Sequence, residues 1–526
     1  MSRLLRSGAI ISAMTMISRV LGLARDAIIF NFFPAGGALD AFFVAFRIPN
    51  LLRRMVAEGA FSLAFIPVLS EYKETKSPED LQKLLNHVAG TLSLVLLGIT
   101  VLGMILAPLL ATLFAPGFSF GEASQANTEQ HALTSSLLLI TFPYIFLISL
   151  SAFVGAILNT FQKFAVPAFT PVLLNVALIS AAIWGAPYFD EPVEALAWGV
   201  VAGGFAQLLF QVPALIKLGL LPKPDFKRGH EGVKRIMKLM APALLGSSVA
   251  QINILINTAI ASLLAVGSIS WLYASDRFVE LPLAIIGVAI GVVILPKLSG
   301  DHAKEQGKAF SETLDWAVRI GLLMALPAMV GLILLAKPIL ATVLNNGVNG
   351  WQLVDMASMS LMTYALGLPA FILVKVLAPG FYSRQDTKTP VRIGIISIIS
   401  NIILSALIVY PWYSLGYVGP HAGLALATAL AGYINAGLLF YHLKKRGIFH
   451  SVSRKLWLTD LSKIIVAVVA MGALIFWLNP NDSWWQGAGL GSKVGHLFAL
   501  IILALMTYFG SLFLMGIRKA HLLPED

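Results

Sequence analysis

The stretch "GAIISAMTMISRVLGLARDAIIFNFF" at residues 8–33 is almost wholly apolar, yet it contains Arg19, Arg25 and Asp26. As a helix it is long enough to cross a hydrocarbon core of about 30 Å. Similar runs recur along the 526-residue chain, which is 58% hydrophobic and 12% charged, whereas a soluble domain carries about 25% charged residues. The sequence therefore predicts an all-α polytopic membrane protein. A transmembrane β-barrel would instead show alternating segments of ~10 residues.

Fourteen transmembrane helices are predicted from these apolar runs. We expect the first of them to be retained, because no small-residue cleavage site follows a short apolar core. The predicted spans lie at residues 8–33, 38–69, 84–114, 132–160, 166–187, 193–216, 236–265, 269–296, 310–336, 353–381, 391–412, 418–442, 457–478 and 495–517.

The distribution of positive charge indicates the orientation of these helices. If the N-terminus is cytoplasmic, the cytoplasmic segments carry 26 Lys and Arg residues, and the opposite loops carry only Lys337 and Lys493. Both termini are therefore predicted to be cytoplasmic. The net charge of +11 is then mostly a topology signal beside anionic lipid, and nucleic acid is not expected as a partner.

A weak internal repeat relates the two halves of the chain. "AFIPVLSEY" at the end of the second span resembles "VILPKLSGD" at the end of the eighth, so that Pro67 matches Pro296. The offset of six spans preserves orientation, which predicts a parallel repeat about an axis along the membrane normal. We therefore predict two six-helix lobes, at residues 1–220 and 221–450, and two additional helices at 451–526. Lobes that face a midplane cavity are the usual basis of alternating access.

Nine Lys and Arg residues lie inside the apolar spans, where exposure to lipid costs each at least ~2.5–3.5 kcal/mol. Arg319 and Lys463 are close enough to the cytoplasmic ends of their spans to snorkel. The others are expected to face neighbouring helices or water. The nine are Arg19, Arg25, Arg47, Arg53, Arg54, Arg277, Arg319, Lys375 and Lys463.

Several of these arginines are predicted to form an anion-binding site, because the guanidinium group matches phosphate oxygens bidentately. The arginines assigned to this site are Arg19, Arg25, Arg53 and Arg277. Nearby carboxylates are expected to hold the arginines apart, or to release them during a conformational switch. These carboxylates are Asp26, Asp40, Glu58 and Glu280.

Internal ion pairing is the alternative interpretation, in which each arginine binds Asp or Glu and only locks helices together. It applies above all to Arg54, because Glu58 follows it at i+4. Arg19 and Asp26 are seven residues apart and share a helix face, with Gly22 on the same side. In "RIPN", Pro49 is predicted to interrupt the second span where it lines a cavity.

Motifs for catalysis or metal binding are not found in the sequence. There is no Walker loop, no Ser-His-Asp order and no HExxH, and the histidines lack metal-ligand spacing. The chain has no cysteine, which excludes disulfides and thiolate metal sites. We therefore predict a transporter, with no catalytic residue, and not an enzyme.

Long motifs give the chain a family resemblance over essentially its whole length. "SRVLGLARDAI", "DAFFVAFRIPNLLRRMVAEGAFSLAFIPVL", "PAFTPVLLN" and "VKVLAPGFYSRQDTKTPV" resemble the MurJ (MviN) lipid II flippases. These belong to the multidrug/oligosaccharidyl-lipid/polysaccharide exporter superfamily. The resemblance implies alternating access through a cationic central cavity. It also implies movement of lipid II, an undecaprenyl-diphosphate-linked disaccharide pentapeptide, to the outer leaflet of the bacterial cytoplasmic membrane.

The resemblance also assigns roles to particular residues. The family's cavity arginines match the four arginines assigned above, and its acidic positions match Asp26, Asp40 and Glu280. The last two helices are expected to form the groove for the prenyl tail. Some members bind a sodium ion, for which Asp386 in "SRQDTKTP" is the candidate here.

No other cofactor is expected, and coupling is assigned to a sodium ion or to the membrane potential. The predicted partners are lipid II, membrane lipids, and proteins of cell-wall synthesis and division. The functional unit is expected to be a monomer.

Three other functions remain as alternatives. A flippase for a different prenyl-diphosphate glycan would use the same arginines. An ion-coupled drug exporter should have a cavity rich in carboxylates and aromatic residues, in contrast to the arginine-rich cavity expected here. A non-transporting scaffold for cell-wall assembly would leave the charges within the membrane unexplained.

Overall fold

The computed structural model describes residues 3–120, 125–227, 229–304, 306–345, 347–449 and 454–517. The described backbone is helical with short connections and contains no strand. It forms two compact units, unit 1 (Met1–Ser270) and unit 2 (Trp271–Asp526).

The helices up to the start of unit 2 are α1 Arg3–Phe32, α2 Gly37–Leu52, α3 Ser62–Thr75, α4 Pro78–Ile105, α5 Ala107–Phe114, α6 Gly117–Phe120, α7 Gln125–Thr141, α8 Pro143–Thr160, α9 Ala165–Ser180, α10 Val193–Leu218 and α11 Glu231–Ser262. The helices that follow are α12 Ser268–Ala303, α13 Gly307–Leu334, α14 Ala336–Val343, α15 Trp351–Leu366, α16 Leu368–Leu377, α17 Pro379–Tyr382, α18 Lys388–Ser414, α19 His421–Lys445, α20 Arg454–Leu478, α21 Asp482–Gly487 and α22 Leu490–Leu514.

Every predicted span coincides with helix in the described residues, so the prediction of an all-α membrane protein is confirmed. Within the described residues, ten helical stretches are long and apolar enough to cross a membrane, and the count of fourteen spans stays a prediction. The spans outside the ten are the first, second, seventh and eighth. The ten stretches are Pro78–Ile105, Thr128–Thr160, Ala165–Tyr188, Val193–Leu218, Gly307–Leu334, Trp351–Tyr382, Lys388–Ser414, His421–Lys445, Leu458–Leu478 and Leu490–Leu514.

The second span is interrupted, but not at Pro49 as predicted. Pro49 lies inside α2, and the backbone changes to a π-helix only at Arg53–Phe61. Proline has no N–H to donate to the carbonyl four residues earlier, and here the Thr141 hydroxyl donates to that carbonyl, Ala45 O, at 3.3 Å. A neighbouring helix thus supplies the missing donor, which is how membrane helices tolerate an internal proline.

An aromatic cluster fills part of the core of unit 1. The rings of Phe61 and Phe65 stack with centroids 5.0 Å apart, and Phe153 on α8 lies 5.3 Å from Phe65. All three side chains are buried. Because Phe61 ends the π-helix, this packing fixes the point at which the chain returns to α-helix in α3.

Unit 1 extends beyond the predicted lobe boundary at residue 220. Helix α11 packs against the π-helix and α3, so it belongs to the same compact unit as α1–α10. The compact units are defined by which helices pack together, whereas the predicted lobes are defined by the sequence repeat. The division at 220 and 450 therefore stays a prediction.

Arg319 in unit 2 has two carboxylate partners, and the prediction that it snorkels stays a prediction. Its Nε donates to Asp315 Oδ2 on the same helix at 2.9 Å, and its Nη1 lies 3.5 Å from Asp460 Oδ2 on α20. Asp315 is fully buried, and a buried carboxylate needs a partner, which Arg319 supplies. Further along α13, the Tyr508 hydroxyl donates to Leu323 O at 2.6 Å. These contacts hold α20 and α22, the last two predicted spans, to α13.

The connection between α10 and α11 docks on α4. Asn86 accepts the amide of Lys223 at 2.8 Å through its side chain, and its own carbonyl accepts the amide of Asp225 at 3.0 Å. At the end of the connection, His230 Nδ1 accepts the amide of Gly232 at 3.1 Å and so caps α11. The His87 ring lies against His230, with centroids 4.8 Å apart and the ring planes tilted by 37°.

This histidine cap is expected to weaken in acid. Burial and the neighbouring His87 lower the pKa of His230 from its ordinary 6.5, against the opposing effect of Glu231 and Asp80. The folded chain therefore holds fewer protons than the unfolded chain just below pH 6.5, so stability present above that pH is lost as the pH falls through it. The first turn of α11 should lose hydrogen-exchange protection between pH 7.5 and 5.5.

His230→Asn is the matched control, because asparagine accepts the same amide without titrating. The exchange rates of the two proteins should diverge only at the lower pH. An equal loss of protection in both proteins would contradict the assignment. The other groups near the cap are Tyr72, whose ring centroid lies 6.2 Å from that of His230, and Asp225, which lies 3.5 Å from His87 Nε2.

Candidate functional site

Arg19 is the most accessible of the predicted arginines in unit 1. It lies on α1 with its side chain exposed, and it has no hydrogen bond or ion pair with the residues that the structure describes. Its guanidinium group is therefore available to a ligand, as the anion-site prediction requires.

Arg25, two turns along the same helix, is instead enclosed in a polar network. It is 8% exposed, and its neighbour Asp26 is 2% exposed. Both Nε and Nη2 donate to Asp26 Oδ1, the former at 2.9 Å, and Nη1 donates to Asn175 Oδ1 on α9 at 3.0 Å. Asn175 Nδ2 donates in turn to Ser18 O at 3.1 Å. These contacts favour the internal-pairing interpretation for Arg25.

Asp40 binds the start of α12. Its Oδ2 accepts the amide of Gly267 at 2.7 Å, and its Oδ1 accepts the amide and the hydroxyl of Ser270. The carboxylate thereby satisfies N–H groups that have no partner within the helix, and its charge is favourable at a helix N-terminus. The structure thus gives Asp40 a capping contact, and its predicted role as a switch stays a prediction.

The remaining cations of the second span lie beside short polar side chains. Arg53, at the start of the π-helix, donates from Nε to Asn50 Oδ1 at 2.9 Å, and Arg47 donates to the hydroxyl of Thr258 on α11. Arg54 is half-buried. The side chain of its predicted partner Glu58 lies outside the described residues, so the proposed i+4 pair stays a prediction.

Unit 2 contributes Arg277 on α12. Its Nη1 donates to Glu280 Oε2 at 3.0 Å, and its guanidinium carbon lies 4.6 Å from the centroid of the Tyr273 ring. The side chains of Arg277 and Glu280 are 28% and 41% exposed. The pair predicted within one helical turn is thus formed, but it remains accessible, unlike the pair of Arg25 and Asp26.

Asp386, the sodium candidate, has other partners in unit 2. It accepts from the amide and the hydroxyl of Thr389 and from Arg446 Nη1 at 2.6 Å. Burial acts to raise the pKa of Asp386, but these hydrogen bonds and the Arg446 charge outweigh it and lower the pKa to about 2. Within the described ranges no three His, Asp or Glu residues are grouped to hold a metal ion. Sodium binding stays a prediction.

Comparison with known families gives a match over most of the chain. Residues 29–490 fit the family model described as "Lipid II flippase MurJ". The chain belongs to the lipid II flippase MurJ family.

Individual members of the family align over nearly their full length. The "Probable lipid II flippase MurJ" of Vibrio cholerae is 44% identical, and the alignment covers 99% of this chain and 98% of the relative. The "Lipid II flippase MurJ" of Burkholderia cenocepacia is 39% identical, with 98% of each chain covered. The family resemblance inferred from the sequence motifs is confirmed.

Solved structures agree with this assignment. A lipid II flippase MurJ in an inward closed conformation superposes with a TM-score of 0.78 at 29% identity, covering 96% of this chain and 99% of that one. An inward-facing multidrug resistance MATE family transporter of the MOP superfamily gives 0.65 at 15% identity, covering 84% and 98%. An outward-facing one gives 0.55 at 14%, covering 84% and 95%. The two MATE likenesses show the shared fold alone.

Asn175 is a partner of the predicted site residue Arg25 that sequence reasoning missed. It lies within the quoted motif "PAFTPVLLN", where an amide in an otherwise apolar helix was the available signal. It is 5% exposed, and it contacts both the Arg25 guanidinium and the α1 backbone. Asn175 therefore sets the position of Arg25 and joins α9 to α1.

Replacing Asn175 should destabilise this junction. Asn175→Leu removes the acceptor for Arg25 and the donor for Ser18 O, and leaving buried polar groups unpaired costs about 1–3 kcal/mol each. Asn175→Asp keeps the acceptor for Arg25 and should lose less. The thermal stability of the purified protein in detergent measures the difference. Val176→Ala, at an exposed site on the same helix, is the control, and a leucine variant as stable as the parent protein would refute the assignment.

Proposed function

We propose that this chain translocates lipid II from the inner to the outer leaflet of the bacterial cytoplasmic membrane. The observation that carries the proposal is the match, over nearly the whole chain, to proteins named lipid II flippases. The distribution of cations supports it, because arginines inside apolar helices suit a diphosphate. Alternating access is the proposed mechanism, and the fold occurs in transporters described as inward-facing and outward-facing.

During translocation, protein groups must replace the water that hydrates the polar head group. A diphosphate and its sugars would cross hydrocarbon only at a prohibitive free-energy cost. The guanidinium groups of Arg19 in unit 1 and Arg277 in unit 2 are accessible, and they are the proposed donors that replace this hydration. The apolar surfaces of α20 and α22 are the proposed contact for the prenyl tail, and they include the exposed side chains of Phe476 and Phe498.

Orientation and assembly are part of the proposal. Both termini are placed in the cytoplasm on the basis of the asymmetry of Lys and Arg, and the functional unit is a monomer. Cell-wall synthesis and division proteins are the proposed protein partners. A drug-exporter function is supported only by the shared fold, so lipid II is preferred as the substrate.

Arg19 is expected to be essential for transport. Cells depleted of their own flippase would express either this protein or Arg19→Ala while lipid II in the outer leaflet is measured. Loss of one charge-assisted contact of about 1.5–3 kcal/mol corresponds to a loss of about tenfold to a hundredfold in flipping. Arg277→Ala should be similarly defective.

Lys163→Ala is the control for these variants, because Lys163 is an exposed residue between α8 and α9 and should be dispensable. Normal flipping by both arginine variants would rule out the anion-site proposal. If the parent protein restored flipping of a different prenyl-diphosphate glycan, and not of lipid II, the substrate would be reassigned.

Coupling is proposed to depend on the membrane potential. A potential that is negative inside favours outward movement of an anion by ~2.3 kcal/mol per charge per 100 mV. In vesicles containing the purified protein, collapse of the potential with valinomycin and potassium should slow flipping, whereas replacing sodium with choline should not. The reverse result would assign coupling to sodium.

A further inference from the structure

Lys375 is a cation that neither the predicted site nor the ion pairs of the described residues explain. It lies on α16 (Leu368–Leu377), within the apolar stretch Trp351–Tyr382. Its side chain is exposed and has no hydrogen bond or ion pair with a described residue. An ionisable group in such a stretch usually marks a pathway for substrate or ions.

The other intramembrane cations of unit 2 are in different situations. Arg319 binds two aspartates, and Arg277 binds Glu280 while remaining accessible. Lys463 also has no partner among the described residues, and it lies as near the predicted cytoplasmic end of its span as Lys375 does, so the packing of α16 has to separate the two lysines. Lys375 is thus a charge inside an apolar stretch with no protein counter-charge on the described residues.

The packing of α16 shows which way Lys375 points. Ile372 and Val376 face α13, where a methyl group placed on Gly321 would lie 3.4 and 3.5 Å from their side chains. Phe371 faces α19, with its ring against Gly432. Lys375 lies on the remaining side, where its Cγ is 3.5 Å from the position that a Cβ atom on Gly287 of α12 would occupy. Its stem therefore runs along α12.

The side of α12 that Lys375 meets is the side that carries the pair of Arg277 and Glu280. Gly287 follows Glu280 by seven residues, so the two share a face to within about 20°. Gly287 lies ten residues beyond Arg277, or about 15 Å along the helix. The missing side chain at Gly287 leaves room for the aliphatic stem of Lys375.

We propose that Lys375 binds an anionic group of the translocated lipid head group, as a second cationic contact of unit 2 beside Arg277. The inference rests on the proposed function. Its ligand is a phosphate or a carboxylate, since an ammonium group binds either as a point charge. In lipid II the phosphate would come from the diphosphate and the carboxylate from the peptide stem.

Binding of lipid II to the purified full-length protein tests the assignment. Lys375→Ala should weaken binding about tenfold, as expected for loss of a charge-assisted contact, and Lys375→Arg should restore most of the affinity. Lys463→Ala is the matched control, because it removes the other partnerless lysine from an apolar helix of the same unit, and it should bind like the parent protein. Binding by Lys375→Ala should also depend less steeply on salt, a change that a packing role would not produce.

A second pair of variants, at Gly287, changes the packing around the aliphatic stem of Lys375 and leaves the lysine charge in place. Gly287→Ala should be tolerated, since a methyl group there makes ordinary van der Waals contact with Lys375. Gly287→Leu should displace the stem and reproduce the loss of affinity. If both Lys375→Ala and Gly287→Leu bind as tightly as the parent protein, or if Lys463→Ala is equally impaired, the proposal is overturned.

Two lipids identify the anionic group. An equal loss of affinity with undecaprenyl diphosphate assigns Lys375 to the phosphate, and a loss confined to lipid II assigns it to the stem carboxylates. Failure of the proposed function has a different signature, because the parent protein would then neither bind nor flip lipid II. A parent protein that flips lipid II alongside an unimpaired Lys375→Ala would overturn only the role of Lys375.

Discussion

The main constraint on this molecule is that a charge or a backbone polar group inside an apolar helix needs a partner. The constraint acts on the backbone where Thr141 donates to the carbonyl that Pro49 leaves without a donor. It acts on side chains where Asp315, fully buried, holds Arg319. Once such partners are assigned, the cations separate into those that stabilise the fold and those that remain accessible. Only the second group is suited to bind a substrate.

Much of the fold was predictable, because the signals that define it are local. Apolar length predicts the helices, and pairs close in sequence, such as Arg277 with Glu280, meet because one helical turn brings them together. Contacts between distant segments were not predictable in this way. Arg25 donates a hydrogen bond to Asn175, which is 150 residues away in sequence. Arg47 donates one to Thr258, which is 211 residues away. Apolar periodicity does not determine which helices are neighbours, so it does not predict these partners.

Local rules also misplaced one feature for an identifiable reason. Pro49 was expected to break the second span, but a hydroxyl from α7 lets the helix continue to Leu52. Here a tertiary contact overrode a preference that was correctly read from the local sequence.

The two arginines of α1 show why proximity in sequence does not imply a shared role. Asp26 neutralises Arg25 at hydrogen-bonding distance, and both groups are buried, so an anion bound nearby would experience little net field from the pair. Direct binding to Arg25 would also require breaking contacts with Asp26 and Asn175, and a buried charge that loses its partner is strongly destabilised. Neither neutralisation by a buried partner nor the breaking of buried contacts applies to Arg19, because its side chain is exposed. The network around Arg25 therefore fixes α1 against α9, and it leaves Arg19 exposed for the proposed contact with an anion.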